Sequence, residues 1–186
     1  MITLRALSAD DIPNLPQIRP TYRSATILQV DRVGSGFEVG WQLIEHALDK
    51  PFDKGAGYDF TPEVQDIIRE RLTRPDDVHQ QVAETNGKLV AFVEVELQAW
   101  NNTAALWNLM IDLSYRGQGL GRRLWYRALA FAKESDVRAI VIETQNTNVA
   151  ACHFYAHMGC HLVGLHESFY DGSDETALFW LYPIRA

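Results

Sequence analysis

The chain has 186 residues, 47% hydrophobic and 22% charged, the balance of an ordinary globular protein with one substantial core. A formal net charge of −7 argues against a general polyanion binder and favours cationic ligands over nucleic-acid phosphates. Two cysteines, Cys152 and Cys160, with neither a CxxC pair nor a Cys/His set at zinc spacing, point away from a disulfide framework and from a bound metal.

The N-terminal stretch "MITLRALSADDIPNL" lacks the apolar core of a signal peptide. No segment approaches the roughly 20 apolar residues that cross a bilayer, so a cytoplasmic protein without membrane or nucleic-acid partners is expected. Ile2 to Leu7 alternate as a short strand, and Ser8 with its acidic following turn reads as a helix cap, although Pro13, Pro16 and Pro20 interrupt the helix. Between Thr26 and Leu48, Phe37, Val39, Trp41 and Leu43 alternate behind Gly34-Ser35-Gly36, a hairpin pattern whose rival is a helix over 39–48. Residues 49–63 mix turn formers with aspartates, lysines and aromatics, a loop with binding potential.

Thr61-Pro62-Glu63 opens a helix carried by Val64, Ile67, Ile68 and Leu72 and closed before Pro75. Strands over 79–85 and 88–100 flank Asn86-Gly87, the strongest hairpin signal in the chain. Asn101-Asn102 turns into a strand over 104–113. Leu120, Leu124, Ala128 and Phe131/Ala132 then describe a helix with one buried face, and "RAIVIET" suits a strand buried on both sides. A helix over 149–158 ended by Gly159 and strands near 161–170 and 176–183 complete the order.

The junction "RGQGLG", Arg116 to Gly121, places Gly117, Gly119 and Gly121 where a strand hands over to a helix. Glycines there permit positive φ and close backbone approach, and the helix start offers unpaired N–H groups that suit a pyrophosphate. A turn that merely packs a helix tightly on its strand has the same composition. The register is neither a Walker A loop nor the dinucleotide GxGxxG.

Thirty residues on, "ETQNTNVAACHFYAHMGC" supplies a second motif. Arg116, Gly119 and Gly121, followed by Asn148, Ala151, Phe154, Tyr155 and Gly159, together resemble the two signature motifs of the GNAT superfamily of acetyl-CoA-dependent N-acetyltransferases; Cys160 departs from the usual phenylalanine. The resemblance implies an α+β fold, a mixed and mostly antiparallel sheet of six to seven strands flanked by helices. It also implies a single domain, with 1–84 on the substrate side and 85–182 binding acetyl-CoA. "GKLVAFVEVELQAWNN", "DETALFWLYP" and "KPFDKGAGYDF" are similar to stretches of streptothricin acetyltransferases. An antibiotic's β-lysine amine would then be the acceptor, a small cation that an acidic enzyme suits. Acetylation of a protein N-terminus or lysine, as by ribosomal-protein acetyltransferases, and a non-catalytic CoA sensor are the competing readings. A homodimer is left open.

The resemblance assigns Tyr155 to protonating the departing CoA thiolate, which a phenol near pKa 10 can do. It places Ile111 and Leu113 against the pantetheine arm, residues 116–122 (Arg116, Gly117, Gln118, Gly119, Leu120, Gly121, Arg122) around the pyrophosphate, and Asn148 near the pantetheine. The amine needs a base. Glu94 and Glu96, two apart on a strand and so on one face, are the candidates, with a solvated edge as the plain alternative. Asp112, Asp53, Asp59, Asp171 and Glu175 are further carboxylates for substrate charge. His153 and His157, at i and i+4, lack an evident third ligand, and Cys152 and Cys160 read as small buried hydrophobes.

Overall fold

The computed structural model describes residues 1–55 and 60–185. The elements in chain order are β1 (Thr3–Ala6), a 3-10 helix (Ala9–Gln17), β2 (Arg23–Ser35), β3 (Glu38–Asp53), α1 (Pro62–Leu72), β4 (Val78–Thr85), β5 (Lys88–Gln98) and β6 (Thr103–Ile111). A short 3-10 turn (Leu113–Tyr115), α2 (Leu120–Glu134), β7 (Ala139–Gln145), α3 (Val149–His157), β8 (His161–His166) and β9 (Ala177–Pro183) follow. Seven strands form one sheet in the order β1-β4-β5-β6-β7-β9-β8, and β2 with β3 form a separate ribbon. β6 and β7 run parallel, whereas β1·β4, β4·β5, β5·β6 and β8·β9 are antiparallel, which is the mixed α+β architecture anticipated.

Local chemistry accounts for most boundaries. Asn86 and Gly87 have φ of 51° and 73°, the double positive that a two-residue hairpin turn requires. Thr61 caps α1 by accepting the Val64 N–H at 3.4 Å, with Pro62 at a position that has no N–H to lose. Ser8 and Asp11 form a reciprocal capping box, but Pro13 and Pro16 hold the segment after it to a 3-10 helix. Over 38–53 the chain is extended throughout, so the rival helix over 39–48 is not formed and the loop expected from residue 49 begins later. The register jumps from Thr26↔Ala47 to Ser24↔Phe52, and the looped-out residues 48–51 accommodate Pro51, which cannot donate to a ladder.

The chain divides into two contact units, 1–21 with 55–142 and 183–186, and 22–54 with 143–182. In the first, Leu7, Ile12, Leu15, Ile18, Phe60, Ile68, Val82, Leu89 and Phe92 form a buried cluster. Leu120, Leu124, Trp125, Ala128, Leu129 and Ala132 give α2 one buried face, which packs against β5 and β6. In the second, α3 packs against β2 and β8 and buries Val149, Cys152 and Tyr155.

Candidate active site

The glycine junction is built from the end of β6. Asp112 has no exposed surface and accepts the Ser114 N–H at 3.0 Å and the Arg19 Nε at 3.1 Å. Burial works to raise its carboxyl, but the bonds from Arg19 and the Ser114 N–H outweigh it and hold the group at about 2. Asp112 is therefore committed to the turn, and the expectation that it offers charge to a substrate is revised. The Leu113 N–H donates to the Arg19 carbonyl at 3.1 Å, and Arg116 Nε donates to the Ile111 carbonyl at 3.1 Å while its Nη2 reaches the Pro20 carbonyl. Arg116 thus braces the loop, and two of the main-chain groups expected to meet pantetheine already have partners within the chain.

Beyond that brace the backbone opens. Gly117 and Gly119 have φ of 74° and 77°, and a Cβ at either would meet nothing within 4 Å. Gly119 caps α2 in the left-handed conformation without a side chain to accept the first-turn N–H groups. Leu120, 2% exposed, anchors the helix start in the core, and exposed Arg122 has no ion pair among the described residues. Open space, unaccepted N–H groups and the positive end of a 15-residue helix fit a pyrophosphate at Gly117 to Arg122. Gln118 donates to the Ser114 carbonyl at 3.3 Å and so steadies the loop.

Glu94 and Glu96 do share a face, as their spacing predicts, but that face is closed. Glu94 has no exposed surface and accepts from Arg71 at 3.0 Å, Gln80 at 2.7 Å and Asn108 at 2.6 Å. Glu96 accepts from Arg74 at 2.8 Å and from the Trp107 indole at 2.7 Å, with Arg71 at 3.3 Å. Burial alone would raise the Glu96 carboxyl; Arg74, Trp107 and Arg71 reverse that and lower it. Trp107 is an extra residue in the β5–β6 ladder, since Glu94 faces Asn108 while Val95 faces Leu106, and its ring lies under the Arg71 guanidinium at 4.7 Å. The parallel β6–β7 ladder runs from Thr103↔Ala139 to Leu106↔Ile142, and β6 continues past it to Ile111.

The second unit holds Tyr155 and a carboxylate that sequence reasoning passed over. Tyr155 is buried on α3, with the Phe154 ring edge-on at 5.2 Å. Burial, then the neighbouring Cys160, Cys152 and Glu143, push its phenol well above the ordinary tyrosine range, so it stays a protonated donor. Glu143 lies near the end of β7. Its side chain reaches solvent, yet the surrounding protein raises its carboxyl, with Glu175 adding to the rise and Tyr170 and Lys54 opposing it. Tyr170 donates to Glu143 Oε1, and Gln145 Nε2 lies 3.4 Å from the same oxygen. Among the described residues no hydrogen bond reaches Oε2. An ionisable residue on a strand read as buried on both faces is the signal that could have marked it.

Other expected residues have structural partners. The Asn148 side-chain oxygen caps α3 by accepting the Ala151 N–H at 3.3 Å. Glu175 accepts from Lys54 and Thr147 in a buried cluster, and Asp53 pairs with Arg23 at 3.2 Å. Asp171 is exposed, and Asp59 lies outside the described residues. His153 meets Glu45 at 2.8 Å. Burial pushes the Cys152 thiol up to about 11 and the Cys160 thiol up to about 12, which leaves both inert at neutral pH.

Residues 41–160 match the family model described as "Acetyltransferase (GNAT) family". Over 182 residues the chain is 27% identical to the streptothricin acetyltransferase of Streptomyces lavendulae, an alignment spanning 96% of this chain and 93% of that protein. A crystal structure of nourseothricin acetyltransferase matches with a TM-score of 0.83 and 28% identity over 99% of both chains. The [ribosomal protein bS18]-alanine N-acetyltransferase of Escherichia coli (strain K12) is 29% identical over 101 residues, 53% of this chain and 67% of that one.

Proposed function

The chain belongs to the GNAT family of acetyltransferases and is an acetyl-CoA-dependent N-acetyltransferase, and from that premise we propose that it acetylates the β-lysine amine of streptothricin-type antibiotics. The observation that carries the acceptor class is the reach of the likeness. The Streptomyces streptothricin relative aligns over 96% of the chain, so the N-terminal elements and the β2–β3 ribbon are included, whereas the Escherichia coli ribosomal-protein relative aligns over 53% and the "Putative [ribosomal protein bS18]-alanine N-acetyltransferase" of Bacillus subtilis over 74%. Loss of the acceptor's charge on acetylation is the chemical consequence, and the chain's charge of −7 suits a cationic acceptor.

The proposed division of labour follows the groups available. The N–H groups from Gly117 to Arg122 hold the pyrophosphate of acetyl-CoA, and Ile111, Leu113 and Asn148 line the pantetheine path with whatever main-chain and side-chain capacity their own bonds leave. The amine attacks the thioester carbonyl, the C–N bond forms and the C–S bond breaks. Tyr155 gives its proton to the departing thiolate, and the second hydrogen that the attacking nitrogen sheds on becoming an amide returns to the Tyr155 oxygen by way of solvent. The ammonium proton goes to Glu143, whose Oε2 takes no hydrogen bond among the described residues and whose carboxyl is raised by burial, as a base requires. Glu94 and Glu96, each already satisfied by arginine, are left out of the proton transfer.

A thiol-release assay with acetyl-CoA against streptothricin, aminoglycosides, polyamines, free lysine and N-terminal peptides tests the reading. Streptothricin is expected to give the highest kcat/KM. Preference for the peptides would move the protein to the ribosomal type, and tight CoA binding without turnover on any amine would make it a sensor.

A further inference from the structure

Glu143 is held by a residue from a different part of the chain. Tyr170 lies in the segment between β8 and β9 and donates its hydroxyl hydrogen to Glu143 Oε1. Gln145 Nε2 donates to the Tyr170 hydroxyl at 3.1 Å, so the phenol receives one hydrogen bond and passes one on. The Tyr170 backbone is pinned by its neighbour. The Phe169 ring stands edge-on to Tyr170 at 5.2 Å, to Phe179 of β9 at 5.6 Å and to His166 of β8 at 5.7 Å. The charged groups that face Glu143 are Lys54 and Glu175, which bond each other and so oppose one another at its carboxylate, together with the phenols of Tyr170 and Tyr155.

We propose that Tyr170 is a positioning residue for the amine-deprotonating carboxylate: by occupying Oε1 of Glu143 it fixes the carboxylate's rotation and leaves Oε2 as the oxygen that takes the ammonium proton. The inference rests on the reading of Glu143 as the base. Tyr170 keeps its own hydrogen throughout, since burial and Glu143 push its phenol far above the neutral range. The proton moves from the ammonium nitrogen to Oε2 alone, and the nitrogen lone pair so freed attacks the thioester. The second consequence is electrostatic. A hydrogen bond donated to the ionised carboxylate favours that form and offsets part of the burial that raises it.

The test is the pH dependence of kcat/KM for wild type, Tyr170→Phe, Gln145→Leu and Glu143→Gln with saturating acetyl-CoA. In Tyr170→Phe the acid limb should move upward by about one pH unit, with acetyl-CoA affinity unchanged. Gln145→Leu should move it the same way by less. Glu143→Gln should abolish that limb and lower the rate by about 100-fold or more. An acid limb in Tyr170→Phe that superimposes on wild type, while Glu143→Gln has lost its own, overturns the role of Tyr170 and leaves the base in place. A wild-type profile in Glu143→Gln removes the base and this inference with it. Should Tyr170→Phe lose its cooperative thermal transition, Gln145→Leu carries the same comparison, and an unmoved limb there overturns the role of Tyr170.

Discussion

Arg71 Nη1 lies 3.0 Å from a Glu94 oxygen, and Glu94 has no exposed surface at all. The pair is an internal tie between α1 and β5. Breaking a buried ion pair by removing one partner typically costs about 3–5 kcal/mol, because the other charge is left without compensation. Glu94→Ala, which also strips an acceptor from Gln80 and Asn108, should therefore lower the unfolding free energy in urea by about that amount. Glu94→Gln keeps one acceptor oxygen and should lose less. Equal stability of Glu94→Ala and wild type would mean that Arg71 is held by Glu96 and the Trp107 ring alone.

Asp112 and Arg19 give the fold an acid-sensitive joint. The Asp112 carboxyl is held at about 2 against an ordinary 3.8, so it binds fewer protons folded than unfolded. Its stabilisation is complete above the unfolded value and drains away as pH falls toward the folded one. The melting temperature of wild type should exceed that of Asp112→Asn at pH 5, and the gap should narrow steadily between about pH 4 and pH 2. A gap independent of pH over that window would show that the variant acts through packing.

The parts of the molecule that were legible in the sequence depend on neighbours along the chain. Asn86-Gly87, the Thr61-Pro62 cap and the apolar face of α2 are local events, and the structure has them where the pattern puts them. The left-handed backbone at Gly117 and Gly119 was legible for the same reason, since glycines at fixed offsets act through their own backbone. What the pattern concealed were partners distant in sequence. Glu94 and Glu96 lie on one face as their spacing requires, but only the folded chain brings Arg71 and Arg74 from α1 onto them. Tyr170 follows Glu143 by 27 positions, and a carboxylate's open oxygen is invisible until its other oxygen has found a donor. Pro51 likewise argued for a loop, until the register shift in the β2–β3 ribbon made room for it.

Gly119 carries a backbone demand that a side chain would resist. Its φ of 77° is left-handed, and open space around the missing Cβ means that alanine there meets strain without a clash. Gly119→Ala should cost about 1–2 kcal/mol of stability. It should also weaken acetyl-CoA binding roughly tenfold by turning first-turn N–H groups away from the pyrophosphate, about the worth of one charge-assisted hydrogen bond. Calorimetric titration with CoA and with a dephosphorylated, pyrophosphate-free pantetheine separates the two effects. An equal loss for both ligands would locate the pyrophosphate elsewhere.

Tyr155 is the proposed donor to the departing thiolate, and the fold raises its phenol. Its burial on α3 raises the phenol beyond the ordinary tyrosine range, so the hydroxyl is present in full at every pH where the enzyme works. A neutral donor of that kind can protonate a thiolate as it departs but cannot serve as a base at neutral pH. Tyr155→Phe should therefore lower kcat by about 100-fold or more while the acetyl-CoA dissociation constant stays within about twofold. Wild-type kcat should show no falling limb between pH 7 and the ordinary tyrosine value near 10. A descending limb centred near pH 8 that vanishes in Tyr155→Phe would mean that a phenolate is being formed in that range, and the proton on the departing sulfur would then have to come from another group or from water.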